Sequence, residues 1–118
     1  MENKILLVDD EADIREVLNL SLSDLGYQIF EAENGDMALG IFKEVLPPIV
    51  LTDIKMPHMD GIELLQKVKL ENPETEVIMI TGHGDIDLAI KSLKYEATDF
   101  ITKPINVEAL EIALRRAR

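Results

Sequence analysis

The chain has 118 residues, 47% of them hydrophobic and 30% charged, which suits one globular domain with a single core. A formal net charge of −11 argues against non-specific binding to nucleic acid or anionic membranes, and the absence of cysteine removes disulfides, thiol nucleophiles and thiolate metal sites. No apolar run approaches a membrane span and Met1-Glu2-Asn3-Lys4 carries no signal-peptide pattern, so a cytoplasmic protein is expected.

Ile5-Leu6-Leu7-Val8 predicts a short buried strand, followed at once by Asp9-Asp10-Glu11. Apolar residues at Ile14, Val17, Leu18, Leu22 and Leu25 predict a helix that closes at Gly26. Tyr27 to Ala32 alternates in the manner of an edge strand, and Asn34-Gly35 reads as a turn. A second helix carries Ala38, Leu39, Ile41, Phe42 and Val45 and stops at Pro47-Pro48. Ile49-Val50-Leu51-Thr52-Asp53 is a strand buried on both faces that ends on a carboxylate. Pro57 biases Met56 away from helix, and Asp60-Gly61 can open a third helix through Ile62, Leu65 and Val68 to Asn72-Pro73. Val77-Ile78-Met79-Ile80 is another buried strand, ending on Thr81-Gly82-His83-Gly84. Asp85 is placed to cap a helix with Ile86, Ala89, Ile90 and Leu93. Asp99 to Thr102 makes a last strand, ending on Lys103-Pro104, and Asn106 can cap a helix with Val107, Leu110 and Leu114.

Strand and helix thus alternate five times. The pattern predicts an α/β domain, a doubly wound five-stranded parallel sheet with helices on both faces. Five strands suit the flavodoxin-like order 2-1-3-4-5. Strands 1 and 3 are then neighbours, and Asp9-Asp10 faces Asp53 across a crevice.

Each polar group of interest follows the apolar part of a different strand: Asp9 and Asp10 the first, Asp53 the third, Thr81 the fourth, Lys103 the fifth. Each has a plain alternative. Asp9-Asp10 can serve a helix terminus for about 0.3–2 kcal/mol, Asp53 and Thr81 can stabilise turns, and Lys103 can be an ordinary surface lysine. Their gathering on one rim favours function. Two carboxylates about 4 Å apart repel by roughly 4 kcal/mol at an effective dielectric of about 20, so three in one crevice call for a proton or a cation. A hard divalent ion, Mg²⁺ above all, suits carboxylates, a backbone carbonyl and a phosphoryl oxygen. Lys103 can neutralise another phosphoryl oxygen and Thr81 can donate to one, an arrangement for phosphoryl transfer onto a carboxylate.

Four motifs carry a resemblance: Leu7-Val8-Asp9-Asp10-Glu11, Leu51-Thr52-Asp53 through Asp60-Gly61, Ile80-Thr81-Gly82-His83-Gly84-Asp85, and Asp99-Phe100-Ile101-Thr102-Lys103-Pro104. In order, at the ends of alternating strands, they resemble the two-component response regulator receiver domain over residues 1–118. The sheet order given above is itself known in that family and is not independent of the resemblance.

The resemblance implies a signalling switch rather than an enzyme with a separate substrate. Asp53 would accept a phosphoryl group from a histidine kinase or phosphotransfer protein, and the domain would catalyse this transfer and a slow autodephosphorylation. It implies a Mg²⁺ site of Asp9, Asp10, Asp53 and the backbone carbonyl of Lys55, with Lys103 and Thr81 on the phosphoryl oxygens. It implies Thr81 and Phe100 as the switch pair, the Lys55 and His83 side chains as modulators of phosphoryl lifetime, and a cis Lys103-Pro104 bond. The surface of helix 4, strand 5 and helix 5 would signal to an output domain or partner protein, or form a homodimer.

Three rivals stand beside this reading. A haloacid dehalogenase-type phosphatase would want an acid two residues after its nucleophile, where this chain has Lys55. A flavin mononucleotide carrier would want a glycine- and hydroxyl-rich loop where this chain has Asp9-Asp10-Glu11. An interaction module that never handles phosphate is the third. The last helix ends in Ala113-Leu114-Arg115-Arg116-Ala117-Arg118 without a Gly or Pro stop, so the expectation covers both a single-domain regulator and a receiver excised from a longer protein.

Overall fold

A computed structural model describes residues 3–82 and 84–117. Five strands, β1 (Lys4–Val8), β2 (Gln28–Ala32), β3 (Ile49–Asp53), β4 (Glu76–Thr81) and β5 (Asp99–Thr102), alternate with α1 (Ala12–Asp24), α2 (Gly35–Val45), α3 (Gly61–Glu71), α4 (Ile86–Lys94) and α5 (Val107–Arg116). The strands form one parallel sheet in the order β2-β1-β3-β4-β5. The flavodoxin-like doubly wound architecture expected from the strand–helix alternation is the one observed.

Alternation along each strand divides the core in two. Ile5, Leu7, Leu51, Ile78 and Ile80 pack with Leu18 and Leu22 of α1 and Leu110 and Leu114 of α5. Leu6, Val8, Val50, Val77 and Met79 face the other way, onto Phe42 of α2, Leu65 and Val68 of α3 and Ala89 of α4. The middles of the central strands are therefore apolar on both sides, and polar residues enter them only near their ends.

Several local expectations change. Asn34-Gly35 is a helix start rather than a turn: the Asn34 side chain accepts from the Met37 N–H at 2.8 Å and Gly35 begins α2. Helix α2 ends through Leu46, whose backbone is left-handed (φ 49°), because Pro47 disfavours a right-handed helical residue before it. On α1, Leu18 and Leu22 are buried but Val17 is 59% exposed, since only the narrow stripe spaced by four reaches the sheet. Of the apolar stripe expected on α4, only Ala89 faces inward. Ile86, Ile90 and Leu93 are exposed, whereas Ala89 and Ser92 are buried against the sheet.

Helix α3 starts hard against the end of β3. The Asp60 carboxylate caps it by accepting from the Glu63 N–H at 2.8 Å, and the Gly61 N–H donates to the Ile54 carbonyl at 2.6 Å. A Cβ at residue 61 would strike the Asp53 carbonyl oxygen and lie 2.8 Å from Ile54 Cα. Both obstacles are backbone, so neither can swing aside. Gly61→Ala is expected to destabilise the domain by about 1–3 kcal/mol, measured as a lower urea midpoint with unchanged slope. An unchanged midpoint would show that α3 can move off.

Candidate functional site

The carboxyl ends of β1, β3 and β5 bring Asp9, Asp10, Asp53 and Lys103 together as the sequence predicts. Asp9 and Asp53 are buried, whereas Asp10 is exposed. Lys103 Nζ lies 3.3 Å from Asp53 Oδ2, 3.3 Å from Glu11 Oε1 and 3.6 Å from Asp9 Oδ2. Lys103 is held there by its backbone, whose N–H donates to the Thr81 carbonyl at 2.9 Å, and the Lys103-Pro104 bond is cis.

Only its place as third in an acidic run marks Glu11 in the sequence. It joins Asp9, Asp10 and Asp53 in a cluster with one ligand oxygen from each within 4.8 Å of the others. At such separations two carboxylates repel by roughly 3–4 kcal/mol at an effective dielectric of about 20, and one ammonium cannot offset four of them. Burial pushes the Asp53 carboxyl up to about 6, the Asp9 charge adds to this, and Lys103 only partly counters it. Burial likewise raises Asp9 above the ordinary aspartate value, against a hydrogen bond from the Glu11 N–H and the charge of Lys103. For Lys103, burial acts to lower the ammonium, but the charges of Asp53 and Asp9 prevail and raise it. The strain therefore sits on the two buried acids, while water solvates Asp10 and Glu11.

This donor set fits a hard divalent cation. It is all carboxylate, with no histidine or cysteine among the clustered groups. The buried Asp9 Oδ2 accepts no hydrogen bond and meets the Lys103 ammonium only at 3.6 Å, leaving an acceptor open to a cation.

The side chains of Thr81 and Lys55 take partners outside this cluster. The Thr81 hydroxyl donates to the Asp85 carbonyl at 3.2 Å and to the Gly82 carbonyl at 3.4 Å, rather than toward Asp53. The Lys55 side chain is 67% exposed and pairs with Asp85 Oδ1 at 2.9 Å. Asp85 makes no side-chain cap on α4, contrary to expectation, because its carboxylate meets Lys55 instead. Phe100 is half-buried, packed against the α2–α4 side of the core. His83 lies outside the described residues. The sequence marks Asp85, which holds both Thr81 and Lys55, only as a cap and as the end of the motif that begins at Ile80.

This doubly wound domain carries an acidic, lysine-bearing rim at its β1/β3 switch point, where open α/β sheets bind their ligands. The chain belongs to the response regulator receiver domain family, whose sequence model matches residues 5–115. It is 38% identical over 116 residues to sporulation initiation phosphotransferase F of Bacillus subtilis (strain 168), covering 98% of this chain and 94% of that protein. It is 36% identical over 115 residues to regulatory protein AtoC of Escherichia coli (strain K12), covering 98% of this chain and 25% of AtoC. Against a probable transcriptional regulator, ycf27 of Guillardia theta, it spans 44% of the relative's length. Among solved structures, a response regulator receiver domain protein from Clostridium thermocellum superposes with a TM-score of 0.93 at 36% identity, covering 97% of this chain and 92% of that one. The receiver domain of NtrX from Brucella abortus gives 0.92 at 39% identity, covering 96% of each chain. The chain is thus a signalling domain of the response-regulator class. No helix among the described residues is long and apolar enough to cross a membrane.

Proposed function

We propose that this chain is a cytoplasmic phosphorylation switch whose residues 1–118 form one receiver domain and whose Asp53 accepts a phosphoryl group from a histidine kinase or phosphotransfer protein. The observation that carries the reading is the buried Asp53 carboxylate 3.3 Å from Lys103 within the acid cluster. An Asp53 oxygen attacks phosphorus in line, forming an acyl phosphate as the bond to the donor's imidazole nitrogen breaks. Lys103, which pairs with the Asp53 carboxylate beforehand, turns its ammonium to a phosphoryl oxygen and offsets the negative charge there. Mg²⁺, held by Asp9, Asp10, Asp53 and the Lys55 carbonyl, would supply further charge neutralisation at the phosphoryl oxygens. Water later cleaves the acyl phosphate and restores Asp53, with Lys55 and His83 controlling its approach.

Switching begins at Thr81. Its hydroxyl leaves the Asp85 carbonyl for a phosphoryl oxygen, vacating space into which the Phe100 ring turns. The outward stripe Ile86, Ile90 and Leu93 gives the adjoining α4-β5-α5 face an apolar surface for an output domain, a partner protein or a second copy. Thr81→Ala should still take the phosphoryl group, yet show less than half the amide shift changes on α4, β5 and α5 when beryllofluoride is added. NMR changes as large as in the wild type would remove Thr81 from the switch.

Acceptance is tested by incubation with acetyl phosphate and Mg²⁺. Intact mass should rise by one phosphoryl group, and EDTA should abolish the gain. A chain that never gains the mass under these conditions is an interaction module instead.

A further inference from the structure

We infer that Arg15 is the positioning residue of the acid loop, its guanidinium bridging the Asp9 carbonyl and the Glu31 carboxylate so that Asp10 is aimed at a divalent cation. The inference rests on the phosphoacceptor reading. Arg15 Nη1 donates to the Asp9 carbonyl at 2.7 Å, and Nε donates to Glu31 Oε1 at 3.2 Å. Glu31 is itself held, because Asn19 Nδ2 donates to its Oε2 at 2.6 Å and Ser23 Oγ donates to Asn19 Oδ1 at 2.9 Å. A network from two turns of α1 and from β2 therefore ends on one carbonyl oxygen in the acid loop.

That oxygen matters through geometry. The Asp9 N–H donates to the Ala32 carbonyl at 3.2 Å, so the Asp9 backbone is tied on both sides. The Asp9 carbonyl shares a rigid peptide plane with the Asp10 N–H and Cα. Fixing the oxygen fixes where Asp10 stands, and no hydrogen bond or ion pair from a described side chain steadies the exposed Asp10 carboxylate directly. Arginine suits the task because its planar fork reaches two acceptors at once, which an ammonium does less well.

The test is calorimetric titration of MgCl₂ into the wild-type chain, Arg15→Ala, Arg15→Lys and Glu31→Ala, with thermal melts to establish that each is folded. Partners that orient metal ligands are worth about 10–100-fold in affinity. Arg15→Ala should bind Mg²⁺ about tenfold more weakly, Arg15→Lys should recover part of the loss, and Glu31→Ala should lose a few-fold. A merely structural role would lower the melting temperature and leave the affinity of the folded protein unmoved. Unchanged affinity in folded Arg15→Ala overturns the assignment; if that variant does not fold, unchanged affinity in both Arg15→Lys and Glu31→Ala overturns it. A wild-type chain that binds no Mg²⁺ would overturn the phosphoacceptor reading, and this assignment with it.

Discussion

In EDTA at pH 7, Asp53→Asn is expected to be more stable than the wild-type chain by about 1–3 kcal/mol. Burial, followed by the Asp9 charge, lifts the folded Asp53 carboxyl from 3.8 to about 6. A raised carboxyl binds its proton more tightly in the folded state than in the unfolded one. Its contribution is fully present below 3.8 and is lost as pH climbs through about 6. The whole difference amounts to about 3 kcal/mol, and losing an ionic partner for Lys103 reduces what asparagine recovers. Urea midpoints from pH 4 to 8 should show wild type falling relative to Asp53→Asn between about pH 4 and 7. Mg²⁺ should raise the wild-type midpoint by mass action and the variant's by less. A wild type that gains on the variant over that range would contradict the strained-acid account.

Lys103→Met should act in the opposite direction, destabilising the metal-free protein at pH 7 by about 2–4 kcal/mol. Removing one partner of a buried ion pair leaves the other charge uncompensated, and here three acids lose their shared ammonium. Lys103 is raised above 10.5 in the folded state, so its contribution is fully present at neutral pH and is lost only as pH passes that raised value. On the acid side the loss caused by Lys103→Met should shrink as pH falls toward about 6, because without the lysine charge the Asp53 carboxyl takes up its proton at a higher pH than in the wild type. The same urea series reads this window, and phosphorylation by acetyl phosphate should slow at least tenfold. A destabilisation independent of pH between 5 and 8 would make Lys103 a packing residue instead.

What the sequence made legible followed from position along the strands. A buried parallel strand admits polar residues only where it ends, so Asp9, Asp53, Thr81 and Lys103 could be placed on one rim before any coordinates. Direction was harder. Periodicity gathers Ile86, Ala89, Ile90 and Leu93 of α4 on one stripe but does not tell which of them look inward: Ala89, with Ser92, is buried, and the three large residues are exposed. Glu96 turns the chain with φ 72°, and no glycine announces it. The Lys55–Asp85 pair and the Arg15–Glu31 link join residues 30 and 16 apart in sequence, and hydrogen bonds of this kind leave no periodic trace. Thr81 was correctly placed at a strand end, but the acceptor its hydroxyl chooses depends on the loop that carries Asp85.

The most direct measurement locates the phosphoryl group. Wild-type chain treated with acetyl phosphate and Mg²⁺ is reduced with borohydride, which converts an aspartyl phosphate to homoserine, and then digested and sequenced by tandem mass spectrometry. Homoserine at position 53 alone, absent from Asp53→Asn and from samples held in EDTA, is the result predicted. Homoserine at Asp9, Asp10 or any other aspartate, or at position 53 regardless of EDTA, would contradict the assignment of Asp53 as the Mg²⁺-dependent acceptor.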